Sequence, residues 1–519
     1  MTAYSKRFAT AGQALFLRLL IPFHLPNSTD DNSPPVSQHR EQQVIWYSAC
    51  SFQSRRSLDN ITSTVEERSQ SSIHIVKPQR KTHSKALFSN LDFDGIAYMH
   101  RPGSIKNGAV LIAGTTVGAG VLALPAVTLP AGALPSTILM VGVWLYMFVS
   151  GLLVAEANIR VMQQTGRPGL GLLATVEATL GRPGAIAAGL VYIFIHYALL
   201  IAYTARGGDI LASALANLWA QLNPSIAVLT VPTVPLWWGH VAFTMLFGGI
   251  LYSGSNRFIT VVNGLLVTAV VVAFVSLLGL TLGQVQPTRW LTQHWDAVGL
   301  AIPVMVVAFV YHNVIPVITT ELEGDGGRVR RAIFLGSLVP LVMFALWNGV
   351  ILGSVEGAAA GGIGDLLDPI ELLRQGRSHP LLGEVVAVFS EFAIATSFIG
   401  FVVGLLSVFE DIASLGERTK RRRLLYMLIL LPPLALSVIE PNIFFDAIDF
   451  AGAYGNSILF GIVPALMVWK LRHQASATSC SDNIHPGSLV PGGRPALFAI
   501  IILAVAVIAE NALIKTGIL

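Results

Sequence analysis

Two stretches combine residues hostile to a helix with groups able to bind a charged small molecule, and both sit inside long apolar runs. The first is GTTVGAGVLALP, Gly114–Pro125, and the second FVYHNVIP, Phe309–Pro316. A helix opened at mid-membrane bares N–H groups that can hold a carboxylate and C=O groups that can hold an ammonium or a metal cation. Gly118 and Gly120 lack a Cβ, which allows unusual backbone angles and close approach of a ligand. A free α-amino acid carries both kinds of charge on one carbon, so this chemistry favours amino acids over sugars. Thr115, Thr116, Gly118, Ala119 and Gly120 are therefore the candidates to cradle the carboxylate and amine of a substrate. The competing reading of the same residues is a contact between helices through small side chains.

His312 lies in the second interrupted run, where it can carry a proton, hydrogen-bond a substrate or plug the break. Its neighbours Tyr311 and Asn313 donate or accept without charge, and Phe309 or Tyr311 can stack on an aromatic ring. His196 and Tyr197 fall in another apolar run, with Tyr203 seven residues beyond His196 and so on the same helical face. They line a side-chain pocket or simply pack. Glu391 is an ionisable group inside an apolar run, by default a functional position and here a second candidate proton carrier. The plainer account puts it near a helix end in reach of water. Glu156 and Asp449 lie nearer the edges of their runs. Thr396 and Ser397 can offer hydroxyl oxygens to sodium together with carbonyls of the first break, or bond their own helix.

These residues need a membrane scaffold to position them. Of 519 residues 53% are hydrophobic and only 12% are Asp, Glu, Lys or Arg. Soluble domains carry roughly 25% charged residues, so a water-soluble enzyme is excluded by surface chemistry alone. Cys50 and Cys480 make neither a disulfide scaffold nor a four-cysteine metal site. A net charge of +4 without a basic patch gives no nucleic-acid partner, and no hydrolase, kinase or dinucleotide motif occurs in a sensible context. No metal and no cofactor are expected.

A crossing helix needs about 20 apolar residues. Eleven spans are read, at about 106–129, 134–161, 184–212, 237–255, 258–283, 297–319, 331–355, 384–413, 424–440, 445–470 and 496–517. On one set of alternate connections lie 15 basic residues, among them Arg160, Arg257, Arg328, Arg330, Arg422 and Arg472. The other set has 5: Arg206, Arg289, Arg374, Arg377 and Lys515. The positive-inside rule then places the N-terminus on the cytosol-like side, and the C-terminus opposite.

Aligning Pro125 with Pro316 gives an offset of 191, and that offset carries spans two to five to within ten residues of the starts of spans seven to ten. A five-helix unit crosses an odd number of times, so its copy is inverted. Interrupted helices at matching places in two inverted halves point to the binding site of a transporter. The expected fold is an all-α integral membrane protein of eleven helices. A first repeat at 106–283 and an inverted second at 297–470 are followed by a peripheral eleventh helix at 496–517. Residues 365–376, DLLDPIELLRQG, read as a short amphipathic helix that caps the substrate path or is a plain loop helix.

Residues 1–100 form a leader distinct from the transmembrane domain at 101–519. They hold 11 Lys/Arg, 8 Asp/Glu and 14 Ser, and the first acidic residue is Asp30. An early basic, acid-poor, Ser-rich segment has the profile of an organellar transit peptide, with a disordered tail as the alternative.

IAGTTVGAGVLALP (Ile112–Pro125) resembles the first helix of the aromatic amino acid permeases, the bacterial tyrosine- and tryptophan-specific transporters. AFVYHNVIP (Ala308–Pro316) is similar to their sixth helix and GDGGRVRRAIFLGSLVPLV (Gly324–Val342) to the next loop and helix. FAIATSFIGFVVGLLSVFED (Phe392–Asp411) resembles the eighth and LPPLALSVIEPNIFFDAIDFAG (Leu431–Gly452) the ninth and tenth. The likeness covers about 105–517. It implies proton-coupled uptake of tyrosine, tryptophan or a related amino acid by alternating access, with sodium as the rival ion. With this leader, it implies a multi-pass protein of a plastid membrane such as the inner envelope, with a stromal N-terminus. Glu391 and the sequence Tyr311-His312-Asn313 depart from the pattern. The alternatives are a permease for neutral non-aromatic amino acids and a membrane scaffold that keeps the fold without transport. A channel is disfavoured because no filter repeat or charged ring occurs.

Overall fold

The computed structural model describes residues 87–88, 90–93, 98–100, 103–222, 235–354, 382–412, 418–477 and 488–516, all within one compact unit. Residues 1–86 of the expected leader and the amphipathic stretch 365–376 lie outside the described residues.

Every expected span is occupied by helix. The first is a bent pair, α1 (Ile105–Thr116) and α2 (Gly120–Thr128), meeting at 58°. Then come α3 (Ala133–Thr165), α4 (Leu172–Leu222), α5 (Leu236–Ser253) and α6 (Asn256–Leu282). The sixth span joins a 3₁₀ lead-in, Trp295–Ala301, to α7 (Ile302–Ala308) and, past a break, to a 3₁₀ turn at His312–Val314 and α8 (Ile315–Glu321). It is followed by α9 (Gly326–Ser354), α10 (Leu382–Ile412) and α11 (Arg418–Ile439). The tenth span is α12 (Phe444–Phe450), a π-helical stretch at Ala451–Ile462 and α13 (Val463–Ala477); the eleventh is α14 (Gly493–Thr516).

Among the described residues nine helices are long and apolar enough to cross a membrane, or ten with the bent pair, so the chain is a multi-pass, all-helical integral membrane protein. The fourth expected span, α5, forms where it was expected but falls outside that number. Its 18 residues include Trp237, Trp238 and His240, and at 1.5 Å per residue they reach about 27 Å, just short of the hydrocarbon thickness. The third span also differs. Its helix begins at Leu172 rather than 184, turning at Gly181 (φ 83°), a backbone angle suited to glycine. That earlier leg is held by Asn158, whose amide donates to the Leu170 carbonyl at 2.9 Å and to Thr175 at 2.8 Å.

Short strands β1 (Leu91–Phe93) and β2 (Tyr98–His100) pair antiparallel within the stretch read as leader. Leu87, Asn90 and Gly103 bond to the end of the sixth span. Leu87 N–H donates to the Glu323 carbonyl at 2.8 Å and Gly103 N–H to that of Glu321 at 3.0 Å. Asn90 N–H donates to Glu323 Oε1 at 2.7 Å, and its amide to the carbonyl of Glu321 at 3.0 Å. Glu323 has φ 57°, an unusual left-handed angle for a non-glycine, and these bonds hold it there.

The eleventh helix, expected to be peripheral, exposes most of its surface, 22% of its apolar window being buried. Yet it is fastened by polar contacts. Asn511 donates to both oxygens of Asp449 at 3.0 and 2.8 Å, and Lys515 pairs with Asp446 at 2.7 Å.

Candidate functional site

The first break arises where α1 stops at Thr116. Ser104 caps its start, accepting from Asn107 N–H at 3.0 Å, and Val117 turns extended at φ −77°, ψ 97°. Thr115 and Thr116 spend their hydroxyl protons on the carbonyls of Leu111 and Ile112, both at 2.8 Å. Their oxygens are left only to accept. Ala119 N–H, freed by the break, donates to Ser397 Oγ on α10 at 2.9 Å. Pro125 lies inside α2, well past the break, whereas Pro316 opens α8, where a missing N–H leaves nothing unpaired.

The two breaks meet. A Cβ on Gly120 would lie 3.0 Å from Ala308 Cα, the last residue of α7 before the chain opens at Phe309–Tyr311. A Cβ on Gly118 would lie 2.5 Å from Ser397 Oγ. Close approach thus favours glycine at both positions, at Gly120 against backbone and at Gly118 against a hydroxyl that would have to turn aside. Beside Ser397, α4 and α10 build an aromatic wall. His196 donates through Nδ1 to the Tyr192 carbonyl (2.8 Å), stacks on Tyr192 at 3.9 Å and meets Phe401 at 4.9 Å. Tyr203 packs edge-on against the same Phe401 ring at 5.7 Å, so the seven-residue spacing from His196 does put both on one face. Phe401 follows Ser397 by one turn.

Gly118, Ala119, Gly120, Ser397 and His196 are therefore brought together with Ala308, Tyr203 and Phe401. The rest are placed elsewhere. Tyr197 turns to α11 and donates to the Leu428 carbonyl at 2.8 Å. Thr115 and Asn313 are exposed. Phe309 is buried against Phe344 of α9 at 5.2 Å, and the Tyr311 hydroxyl donates to the Met147 carbonyl of α3 at 3.2 Å. Thr396 donates to its own helix at Ala393.

His312 is fully buried between the Tyr311 ring at 4.9 Å and Phe460 of the π-helical stretch at 4.7 Å. Neither ring nitrogen has a hydrogen-bond partner; the Met147 carbonyl lies near but outside bonding geometry. On α10, Glu391 Oε2 is likewise buried and unpartnered. Asn456, one turn before Phe460, has both polar atoms of its amide buried without a partner. Sequence reasoning passed over it, along with Phe401 and Ala308. A lone amide in the apolar run around Gly455–Ser457 was the available signal for Asn456; Phe401 had only its spacing from Ser397. The two edge carboxylates are engaged structurally: Glu156 takes a two-point contact from Arg472 at 2.8 and 2.7 Å, and Asp449 is bound by Asn511. Among the described residues no cluster of three or more His, Cys, Asp or Glu is arranged to hold a metal.

Residues 101–510 match the tryptophan/tyrosine permease family model. A tyrosine-specific transport system 2 of Haemophilus influenzae is 28% identical over 421 residues, 79% of this chain and 96% of that protein. A tryptophan-specific transport protein of the same organism is 27% identical over 407 residues, 75% of this chain and 92% of that one. The crystal structure of MhsT in complex with L-phenylalanine aligns with a TM-score of 0.48 at 17% identity, over 79% of this chain and all of that one. The match spans both broken helices and every helix between them: this chain belongs to the tryptophan/tyrosine permease family, a family of membrane transporters and not of enzymes.

Proposed function

We propose that the protein is a secondary active transporter of tyrosine and/or tryptophan, driven by protons and working by alternating access. The observation that carries this reading is the meeting of the two helix breaks at Gly120 and Ala308, with Ala119 N–H held by Ser397 and an aromatic wall alongside. The opened backbone binds the charged carbon of the amino acid, and His196, Tyr203 and Phe401 receive its ring. Two inverted five-helix halves plus one added helix account for the placement of the breaks, each at the first helix of its half.

Protons are carried by His312 or Glu391, both buried with polar atoms that lack partners. Sodium at Thr396 and Ser397 is the rival. The leader serves as a plastid transit peptide, and the protein resides in the inner envelope with its N-terminus in the stroma; the acid-poor start and the basic asymmetry support this.

The test is uptake of labelled tyrosine, tryptophan and leucine into proteoliposomes, with and without a proton gradient. Tyrosine or tryptophan accumulation that collapses with the gradient is expected. Leucine preference would favour a neutral amino acid permease, and no uptake by folded protein a scaffold. His312→Ala and Glu391→Gln separate the coupling candidates: the true carrier loses gradient-driven uptake but keeps exchange, and a variant with normal driven uptake is removed from the mechanism.

A further inference from the structure

A cleft too narrow for a water-sized sphere lies where the lead-in to α7 meets α12 and α14, away from the helix breaks. Its polar lining is Asp449, Glu510 and Asn511, with Gly299 and Pro303 opposite. Asp449 and Asn511 are 3% and 2% exposed, so what they lack is not made up by bulk water. The Asn511 amide is oriented by Asp449, since its Nδ2 donates to both carboxylate oxygens. Its Oδ1 is then turned away and has no donor. The Glu510 carboxylate rests on bare backbone: a Cβ on Gly299 would lie 2.1 Å from Glu510 Oε1.

The local donors are already committed. Asn511 Nδ2 is spent on Asp449, and the Lys515 ammonium is shared between Asp446 at 2.7 Å and Asp449 at 3.2 Å, above the Phe450 ring. Three carboxylates, Asp446, Asp449 and Glu510, face two cations even when Arg206, over Phe444 at 5.8 Å, is counted. What remains pointing at the cleft is acceptors: two carboxylates and one amide oxygen. An acceptor-only site with surplus negative charge, two of its three groups buried and Glu510 partly so, suits an ion that donates nothing and brings positive charge.

We propose that this cleft binds a small monovalent cation through Glu510, Asp449 and Asn511 Oδ1. The ion braces the start of the sixth span against the eleventh helix, and so the outer half of the helix whose Ala308 end meets the first break. The site is separate from Thr396 and Ser397 and does not depend on what the transporter carries.

The test uses the purified full chain in nanodiscs at fixed pH and ionic strength. Thermal unfolding and labelled-sodium binding are compared in sodium, potassium and choline chloride. Sodium or potassium should raise the midpoint over choline in a saturable way. Glu510→Gln should weaken the half-saturating concentration by about tenfold or more, as expected for loss of one charged ligand. Asn511→Leu should do the same, while Ser397→Ala keeps the wild-type response. Should Asn511→Leu fail to fold, Gly299→Ala, whose methyl displaces the Glu510 carboxylate, decides with Glu510→Gln. An unchanged response in Glu510→Gln, its loss in Ser397→Ala alone, or a midpoint that follows pH and not the cation overturns the proposal. Tyrosine uptake measured in parallel separates the two readings. Uptake without a cation response sinks this site alone, and a cation response without uptake sinks only the transport reading.

Discussion

Among the described residues, Ser397 is the one side chain that takes up a backbone donor laid open by the first break, through Ala119 N–H. Replacing it with alanine leaves that N–H to water or substrate, and one such bond is worth about 1 kcal/mol, or roughly fivefold in affinity. Ser397→Ala should therefore raise the KM for tyrosine exchange by about that factor without changing thermal stability by more than a degree or two. A larger loss of stability than of affinity would mark Ser397 as packing. Gly120→Val is the sharper case. Its Cβ would come within 3.0 Å of the Ala308 backbone and pry the two breaks apart, whereas a Cβ on Gly114 meets nothing within 4 Å. Uptake should vanish in Gly120→Val and survive in Gly114→Ala at matched membrane levels. Equal activity in both would show that the close approach has no part in transport.

At the scale of elements, the two breaks were legible because glycine and proline mark where a helix is weakest, and a long apolar run is otherwise committed to stay helical. Their fine placement was not. The sixth span opens at Phe309–Tyr311, and His312 already belongs to the next 3₁₀ turn, stacked between Tyr311 and Phe460. That sandwich is set by α3 and the π-helical stretch, which no local pattern reveals. The π-helical stretch itself shifts hydrogen bonds by one residue without a change of composition that could announce it. The strap at Leu87–Gly103 was hidden for another reason: it holds no apolar run long enough to cross a membrane and so reads as leader, and its long-range bonds to Glu321 and Glu323 give it structure. This strap ties the approach to α1 to the end of α8, so spans one and six are linked beyond their breaks. Asn90→Ala removes the two side-chain bonds, to the Thr320 and Glu321 carbonyls, and keeps the backbone bond to Glu323. The backbone amides of 318–324 should then exchange hydrogen faster, by about tenfold if one or two net bonds are lost. Unchanged exchange there would mean that the strap lies on the helix end without holding it.

Over the whole molecule, the alternation of basic and nearly base-free connections agrees with how the ends are tied. Arg160 and Arg472 converge on Glu156, which also accepts from Leu489 N–H at 2.9 Å. Arg330 donates to the Leu489 carbonyl at 2.8 Å, and Arg328 to that of Gly103. These residues come from the approach to the first span and from the connections after the second, sixth and tenth, which the 15-to-5 asymmetry puts on one side. Contacts of the other set also stay among themselves: His294 N–H donates to the Ala131 carbonyl, and Arg289 to that of Ser354. Glu156 is 3% exposed, and the two arginines that meet it are themselves only 12% and 18% exposed. Removing a buried charge from such a group strands its partners, which costs about 3–5 kcal/mol. Glu156→Gln should thus lower the unfolding midpoint far more than Glu384→Gln at the exposed start of α10. Pairing Glu156→Leu with Arg472→Met should recover part of the loss, because it removes one of the two stranded charges along with its bonds and leaves only Arg160 unpaired from Glu156. If the double variant is no more stable than Glu156→Gln, the network holds the inner connections by shape and not by charge. The ion pairs would then be a consequence of the sidedness that the basic residues impose, and not what ties these connections together.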